Sequence, residues 1–487
     1  MKKLITLLFL GGGLQAQELN FEVDLRSYQY DLTLTTSAPT EPYLDLEIPA
    51  WSPGYYQVMD FGKNFHDFHA YNEYGDTLRW IKFGHNTWRI YTSNTKELKV
   101  KYKVQAERNF VGTAFIDKER AFLKPSALFL HRKGEKDTPA QIHIQAPSEW
   151  TKVATGLDSL KAYTYYAKDV DILYDSPLLI GELKELPPFE IGGKKHRFLG
   201  YAMGTFDGLR LMNDLKKIIS TAIELIGDIP YEHYTFIGLG PGNGGIEQLN
   251  STAVAFTGQE LEGPGRTRTL SFLTHEYFHH FNAKRIRPIE LGPFDYSQPN
   301  RTNMLWVAEG LTAYYENIIM NRAGLLSAEE MKKAWSASIA NFQKNPGRSK
   351  QTLAESSAKT WEDGPFGKKG ETISYYEKGP LVGMLLDIRI RTATQNTRSL
   401  DDVMRYLYHE IYKKENRGYT DAEFIKICEK YAGTPLDDIF QYVYSTKELD
   451  YAHYFRMLGI DLDENYQMTL RKDQTALQKK IYQDLFR

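Results

Sequence analysis

The pattern H-E-x-x-H, from His275 to His279, is the part of the chain whose residue types and spacing could do chemistry. Leu270, Leu273 and other apolar residues recur around it at helical spacing, which predicts a helix. On a helix the two imidazoles lie one turn apart on one face, so both could bind the same zinc ion. Glu276 lies beside them and could act as a general base, taking a proton from a water molecule whose pKa the ion lowers.

A second predicted helix, residues 305–316, could supply the third ligand. Its Glu309 would complete a set of two imidazoles and one carboxylate, with the fourth position open to water or substrate, as in catalytic zinc sites. Glu316 lies two turns further along the same face, and we predict that it orients a ligand imidazole through a hydrogen bond. The alternative for Glu316 is an exposed helix carboxylate, and the alternative for the whole pattern is a solvated helix with two histidines.

The composition bounds the class of protein. A chain of 487 residues with 42 % apolar and 25 % charged residues is typical of a soluble globular protein of two or three domains. Its formal net charge of −2 provides no basic face, so nucleic acid is not an expected partner. Cys428 is the only cysteine, which excludes internal disulfides and zinc sites built from several thiolates.

The first residues have the three parts of a secretory signal peptide. A short basic start is followed by an apolar run at residues 4–10 and by Leu14-Gln15-Ala16, which resembles a cleavage site. We therefore predict a signal peptide at residues 1–16 and export to the periplasm or the medium. No later segment reaches 18 consecutive apolar residues, so no membrane span is predicted in the mature chain.

The hydrophobic periodicity changes near residue 205. Before that point, alternating runs such as residues 98–104 are separated by turn residues, which predicts an antiparallel β-domain. From residue 209 to residue 222 the apolar residues recur at helical spacing. Two predicted strands follow, at 235–239 and 252–256, with a glycine-rich turn between them, and the chain is then mostly helical.

Five segments within residues 20–455 carry a family resemblance: His275 to Pro288, Leu291 to Tyr296, Leu305 to Gly310, Trp51 to Gly54 and Asp387 to Arg391. In combination they resemble the glycyl-aminopeptidase family of metallopeptidases. That family belongs to the gluzincins, in which a glutamate on the following helix is the third zinc ligand, and the resemblance therefore implies Glu309. Members usually carry a C-terminal PDZ module, and we expect this chain to lack one because it ends too early.

The resemblance also implies how a substrate would be held. Residues 244–248 resemble the Gly-x-x-Glu segment of related aminopeptidases, in which Gly244 and Gly245 would allow a peptide to pair against this edge. Glu247 would then bind the free α-amino group of the substrate, and Gln248 would lie beside it. The family has a histidine where this chain has Gln248, and glutamine cannot titrate near neutral pH. The alternative is that residues 240–245 are only a flexible surface turn.

A third segment, Tyr375 to Gly379, matches the Tyr-x-Lys-Gly motif of related zinc aminopeptidases. By that resemblance Tyr376 would donate its hydroxyl group to the oxyanion of the tetrahedral intermediate. Tyrosine is abundant here, with 33 residues, so without the motif a packing role would be the expectation for Tyr376.

The predicted fold class is α+β and multidomain. The predicted units are a signal peptide (1–16), an N-terminal antiparallel β-domain (17–203), a thermolysin-like catalytic domain (204–395), a helical C-terminal region (396–460) and an unassigned tail (461–487). The predicted function is zinc-dependent removal of an N-terminal residue, by resemblance glycine or alanine, from peptides with a free N-terminus. The alternatives are an endopeptidase that uses the same metal site and a non-catalytic peptide-binding protein, and no pattern predicts an oligomeric state.

Overall fold

The structure is a computed structural model that describes residues 18–106 and 109–487. The predicted signal peptide, residues 1–16, lies outside the described residues. The described part has an N-terminal half built of strands and a second half in which one sheet is followed by helices. The α+β class predicted from the periodicity is confirmed.

The N-terminal half contains fifteen strands and two short α-helices among its described residues. In chain order the strands are β1 (Leu19–Asp24), β2 (Tyr30–Ser37), β3 (Tyr43–Glu47), β4 (Phe65–Tyr71), β5 (Trp80–Phe83), β6 (Thr87–Tyr91), β7 (Glu97–Val104), β8 (Phe115–Ile116), β9 (Arg120–Leu123), β10 (His131–Arg132), β11 (Ala140–Gln145), β12 (Lys152–Thr155), β13 (Asp158–Lys161), β14 (Thr164–Ala167) and β15 (Leu178–Gly181). The helices are α1 (Pro125–Leu128) and α2 (Val170–Tyr174).

These strands form three sheets, in the orders β13-β14-β11-β1-β2-β7-β4, β10-β3-β6-β5 and β12-β15-β9-β8. All neighbours pair antiparallel except β1 and β11, which are parallel. The alternation in the sequence explains the packing, because the apolar residues of β7, Leu98, Val100, Tyr102 and Val104, are buried while the lysines between them are not. A core of its own lies beneath these sheets.

The second half begins with a sheet whose order is β16-β18-β19-β21-β20, with β17 paired to β18. Its strands are β16 (Lys184–Glu185), β17 (Phe189–Ile191), β18 (Lys194–Gly200), β19 (His233–Gly238), β20 (Gly245–Glu247) and β21 (Ser251–Val254). β18 and β19 pair in parallel and are connected through α3 (Gly208–Ile226). This pairing ties residues 184–200 to the second half, whereas the boundary predicted from periodicity lay at residue 203.

Helices dominate the rest of the chain. They are α4 (Arg266–Phe278), α5 (Leu311–Arg322), α6 (Ala328–Gln343), α7 (Leu353–Ala358), α8 (Thr360–Asp363), α9 (Tyr375–Ala393), α10 (Leu400–Tyr406), α11 (Asp421–Ala432), α12 (Asp437–Tyr444), α13 (Tyr451–Met457) and α14 (Ala476–Leu485). Two π-helical turns, Trp306–Gly310 and Leu407–Lys414, precede α5 and follow α10. Among the residues that the structure describes, none of the helices has both the length and the apolar character needed to cross a bilayer.

The tail that the sequence left unassigned packs against the helices. It forms a hairpin of β22 (Ile460–Leu462) and β23 (Met468–Leu470) before α14. The side chain of Asn321 on α5 donates to the carbonyl of Arg487 at 2.9 Å and accepts from its backbone N–H at 2.8 Å. The last residue is thereby bound to the helix that follows the predicted third ligand.

A buried carboxylate on α9 connects three helical segments. Asp387 is 1 % exposed and accepts hydrogen bonds from the Tyr314 hydroxyl at 2.8 Å, from Arg391 Nε at 2.9 Å and from the Leu400 backbone N–H at 2.7 Å. Removing one member of a buried charge pair leaves the other charge uncompensated in a region of low dielectric constant.

We therefore expect Asp387→Ala to lower the free energy of unfolding by about 3–5 kcal/mol, because Arg391 would keep its buried charge without its partner. Urea unfolding followed by circular dichroism would measure the change. Asp473→Ala is the matched control, since Asp473 pairs with Arg471 on the exposed surface and its loss should leave the urea midpoint unchanged. Equal midpoints for the two variants would contradict a stabilising role of Asp387.

Candidate active site

The two histidines of the H-E-x-x-H pattern lie at the C-terminal end of α4. The buried face of this helix, with Leu270, Leu273 and Phe278, packs into the core of the second half and fixes its orientation. His275 Nε2 and His279 Nε2 lie 2.9 Å apart, which is possible because residues one turn apart lie on one helix face.

Glu309 lies opposite the histidines, on the π-helical turn before α5. Its Oε2 is 3.1 Å from His279 Nε2 and 3.8 Å from His275 Nε2. The three side chains together offer two nitrogens and one oxygen, all within 4.8 Å of one another, and could hold a metal ion. The sequence predicted an ordinary helix here, but the backbone N–H of Leu311 bonds the carbonyl of Trp306, five residues earlier.

A second layer of contacts orients the two imidazoles. His275 Nδ1 lies 3.1 Å from Glu316 Oε2, and His279 Nδ1 lies 2.8 Å from the carbonyl of Asn282. With a proton on each Nδ1, both Nε2 atoms are free to bind a metal ion. Glu316 thus lies where the sequence-based hypothesis requires it.

Asn282 also holds the two helices together. Its side-chain Nδ2 donates to the carbonyls of Val307 and Ala308 at 2.8 and 3.1 Å, and it lies 2.9 Å from Thr312 Oγ1. Asn282 is fully buried. This contact fixes the distance between the end of α4 and the turn that carries Glu309.

Burial and mutual charge shift the titration of the cluster. Burial alone would lower the pKa of His275, but its hydrogen bonds to Glu309 and Glu316 outweigh this and raise the pKa to about 10. Burial would raise the pKa of Glu309, but the charges of His279 and His275 hold it well below its usual range. Burial raises the pKa of Glu276 to about 7, against the opposing effect of the two histidines. A carboxyl group whose pKa lies near neutrality is suited to exchanging protons.

Tyr376 reaches the cluster from α9. Its hydroxyl donates to Glu309 Oε2 at 2.7 Å, whereas the hydroxyl of Tyr375 lies 3.1 Å from Thr360 Oγ1, away from the cluster. Gly310 and Gly379 make this approach possible, because a Cβ built on Gly310 would lie 2.7 Å from the Cα of Gly379. The structure therefore brings Tyr376, and not Tyr375, beside the predicted ligands.

Strand β20 forms the edge of the sheet next to Glu276. A Cβ on Gly245 would lie 2.5 Å from the carboxyl carbon of Glu276, so only glycine allows this close approach. Gly244 has a φ of +89° and its carbonyl accepts the backbone N–H of Ala255 at 2.9 Å. Gly245 thus begins the edge strand beside the predicted general base, and Gly244 immediately precedes it.

Glu247 ends this strand and is 5 % exposed. Within the described residues its carboxylate accepts no hydrogen bond and forms no ion pair, which is unusual for a buried charge. Gln248 is also buried, but its side chain bonds within its own turn, donating to the Ile246 carbonyl at 2.6 Å and accepting from Ser251 Oγ at 3.0 Å. The Glu247 carboxylate is therefore available to a ligand, and the Gln248 amide is occupied.

Three residues of the site were missed by sequence reasoning. Thr252 Oγ1 lies 3.4 Å from Glu276 Oε2, Asn282 joins the ligand helices, and Gly54 of the N-terminal half lies against Glu247. Asn282 and Gly54 lie inside segments that carry the family resemblance. The resemblance indicates that these segments are important, but it does not indicate which residues they contact. No periodic pattern marks Thr252.

Comparisons with known proteins agree with this geometry. The family model of the peptidase M61 N-terminal domain matches residues 19–182, and that of the M61 glycyl aminopeptidase matches residues 268–382. The search among curated protein sequences gave no match.

Several solved structures share the fold. A crystal structure described as an aminopeptidase N family protein from Idiomarina loihiensis has 27 % sequence identity and a TM-score of 0.85, covering 94 % of this chain and 82 % of that one. An M1 zinc metallopeptidase from Deinococcus radiodurans has 14 % identity and a TM-score of 0.53, covering 91 % and 97 %. Native yeast LTA4 hydrolase has 14 % identity and a TM-score of 0.54, covering 91 % and 69 %. At 14 % identity the last two show likeness of fold alone.

We expect Glu316→Ala to weaken metal binding by about 10–100-fold, because His275 would lose the partner that fixes its ring and its tautomer. Competition with a chelator of known affinity would measure the change. Glu329→Ala, which removes a 72 % exposed carboxylate from the next helix, is the control and should bind metal as the wild type does. Unchanged affinity in Glu316→Ala would remove the orienting role.

Proposed function

The chain belongs to the M61 glycyl aminopeptidase family of metallopeptidases, and from that premise we propose that it is a zinc-dependent aminopeptidase that releases the first residue of peptides with a free N-terminus. The observation that carries the proposal is the buried Glu247 carboxylate, which acts electrostatically on Glu276 and His279 and has no hydrogen-bond or ion-pair partner among the described residues. A buried anion of this kind favours a cationic group such as an α-amino group.

The donor set fits zinc. Zinc bonds of about 2.0–2.1 Å in tetrahedral geometry separate ligand atoms by about 3.3 Å, and the three separations between His275, His279 and Glu309 bracket that distance. Two imidazoles and one carboxylate leave a fourth position open, as in catalytic zinc sites. The neighbouring fold from Deinococcus radiodurans is described as a zinc metallopeptidase, which supports the same choice of ion. Zinc bound here would polarise the peptide carbonyl group and lower the pKa of a coordinated water molecule.

The residues of this chain would carry the proton and position the peptide. Glu276 takes the proton of the attacking water molecule and returns it to the leaving amine. Thr252, 3.4 Å from one Glu276 oxygen, lies on the side of the carboxylate that faces the sheet. The Tyr376 hydroxyl, which contacts Glu309 in this structure, would donate a hydrogen bond to the developing oxyanion.

Substrate alignment follows from the edge strand. A peptide added beside β20 would run past Gly245 with its first carbonyl group near Glu276 and its amino group near Glu247. The salt bridge between the two groups favours a free N-terminus and disfavours an acylated one or an internal segment. A preference for glycine or alanine as the first residue is part of the proposal and is supported by the family.

Export is part of the same proposal. The signal-peptide pattern at residues 1–16 supports a periplasmic or secreted enzyme that acts on peptides outside the cytoplasm.

We expect the wild type to hydrolyse glycine and alanine p-nitroanilides and not an N-acetylated peptide. Glu276→Gln should lower kcat by about 10²–10⁴-fold, because it removes the proton acceptor. Glu247→Ala should lower kcat/KM by about 10–100-fold, because the charged amine loses its partner. All three proteins are compared at equal zinc content. Cleavage of the acetylated peptide alone would instead support an endopeptidase.

We expect Tyr376→Phe to lower kcat by about 10²–10³-fold with little change in KM, because its hydrogen bond forms with the transition state and not with the bound substrate. Steady-state kinetics on glycine p-nitroanilide would measure both constants. Tyr375→Phe is the adjacent control, since Tyr375 contacts Thr360 and not Glu309, and its kcat should stay near that of the wild type. A wild-type kcat in Tyr376→Phe would exclude this role.

A further inference from the structure

Residues 51–56 of the N-terminal half pack into the core of the second half. Trp51 is fully buried there, and its Nε1 donates to the carbonyl of Asp295 at 2.9 Å. The indole also meets Phe294 and Trp361 edge to face, with ring centroids 5.4 and 5.3 Å apart. Tyr56, at the other end of the segment, belongs to the same core. We call residues 51–56 the bridging loop.

The bridging loop is held on both sides by polar contacts. Ser126 Oγ lies 3.1 Å from Ser52 Oγ, and both residues are fully buried. The backbone N–H of Tyr55 bonds the carbonyl of Ser52 at 3.0 Å, which closes a tight turn around Gly54. Just beyond the loop, Gln57 Nε2 donates to the carbonyl of Thr360 at 2.9 Å. The turn at Gly54 therefore has little freedom to move away from its neighbours.

Gly54 lies directly against the Glu247 carboxylate. A Cβ built on Gly54 would lie 2.9 and 3.0 Å from the two carboxylate oxygens and 2.7 Å from Ile246 Cγ2. Real Cβ atoms do not approach other atoms so closely, and the φ of +81° at Gly54 also favours glycine. A side chain at position 54 would therefore displace the Glu247 carboxylate and the Ile246 side chain.

The surroundings of Glu247 explain how a carboxylate without a hydrogen-bond partner is tolerated there. Lys124, which is buried, and Lys284, whose side chain is 7 % exposed, interact with it electrostatically from beyond ion-pair distance. Lys284 is itself paired with Asp175 at 2.5 Å. The two lysines offset part of the negative charge, and neither forms an ion pair with Glu247 among the described residues.

We propose that Gly54 is a positioning residue for Glu247, and that the bridging loop of the N-terminal half is thereby a wall of the site that binds the substrate's α-amino group. This inference rests on the proposed aminopeptidase function and names the residue that sets where the amine is bound. The selectivity for free N-termini then depends on a loop outside the metal-bearing half.

The test compares two glycine substitutions at positions with similar positive φ angles. Gly54→Ala adds a methyl group against Glu247, whereas Gly75→Ala adds one in open space at a similar φ of +89° in the same half. We expect Gly54→Ala to raise KM for glycine p-nitroanilide at least tenfold, with kcat within threefold of the wild type. Gly75→Ala should change neither constant more than twofold. Equal kinetics for Gly54→Ala and Gly75→Ala would overturn the proposal.

Binding without turnover separates positioning from general damage. In zinc-loaded Glu276→Gln protein, calorimetry with glycinamide and with N-acetylglycinamide reports the contribution of the free amine. We expect Gly54→Ala to reduce the affinity for glycinamide at least tenfold and to leave the much weaker binding of N-acetylglycinamide unchanged. A parallel loss for both ligands, or a loss of zinc, would mean that position 54 only stabilises the structure.

A double-mutant cycle links the effect to Glu247 itself. In a Glu247→Ala background the carboxylate is gone, so Gly54→Ala should lower kcat/KM less than threefold further. The same tenfold loss in both backgrounds would overturn the proposal.

A milder variant keeps the proposal testable if Gly54→Ala does not fold. Ser126→Ala removes one anchor of the bridging loop and should weaken glycinamide binding about threefold, with N-acetylglycinamide unaffected. Unchanged glycinamide binding in Ser126→Ala would then contradict the role of the bridging loop in positioning Glu247. A wild type that fails to cleave any free N-terminal substrate would overturn the aminopeptidase function and this inference together. If the wild type is active and Gly54→Ala leaves kinetics and glycinamide binding unchanged, only the inference would be overturned.

Discussion

The contact between the end of α4 and the turn at Trp306–Gly310 is the constraint on which the site depends. Two imidazoles come from one segment and a carboxylate from the other, and all three are largely buried. Burying such groups is costly unless their geometry is held. The buried amide of Asn282 meets this requirement by spanning both segments through the carbonyls of Val307 and Ala308. The large core of the second half supports these segments from behind.

Glycines allow the other close approaches between the segments that form the site. Gly310 lies against Gly379 and lets α9 approach closely enough for Tyr376 to touch Glu309. Gly245 lets the edge strand lie against Glu276, and Gly54 lets the N-terminal half lie against Glu247. At each of these contacts a single methyl group would move a functional side chain. The geometry of the site is therefore defined as much by missing side chains as by the reactive ones.

The sequence predicted the parts of the site that follow from local periodicity. The spacing of His275 and His279 on α4 has a structural meaning that needs no knowledge of the rest of the fold. Glu309 could be predicted from the sequence because it lies within an apolar helical pattern. The π-helical turn around Glu309 could not be predicted. The hydrophobic spacing over one turn does not distinguish hydrogen bonds between residues five apart from those between residues four apart.

Long-range features had no such local signal. Residues 184–200 alternate like the strands before them, and only their pairing with β19 assigns them to the second half. The tail at 461–487 is too charged and too weakly patterned to reveal that it forms a hairpin and a helix against α5. Glu247 was found by resemblance, but its contact with Gly54 joins positions 193 residues apart (247 minus 54), which no periodicity could indicate.

The closeness of Gly54 and Glu247 has a consequence for how the two halves diverge among relatives. Most core residues of each half pack against residues of the same half, so many positions can change without a matching change in the other half. Positions 54 and 247 cannot change independently. A side chain at position 54 would need a shorter acid, or none, at position 247. A relative with another residue at position 54 should therefore also have a different residue at position 247. The two positions should vary together across the family. A graft of one relative's N-terminal half onto another's catalytic half would inherit the match or mismatch at this single point.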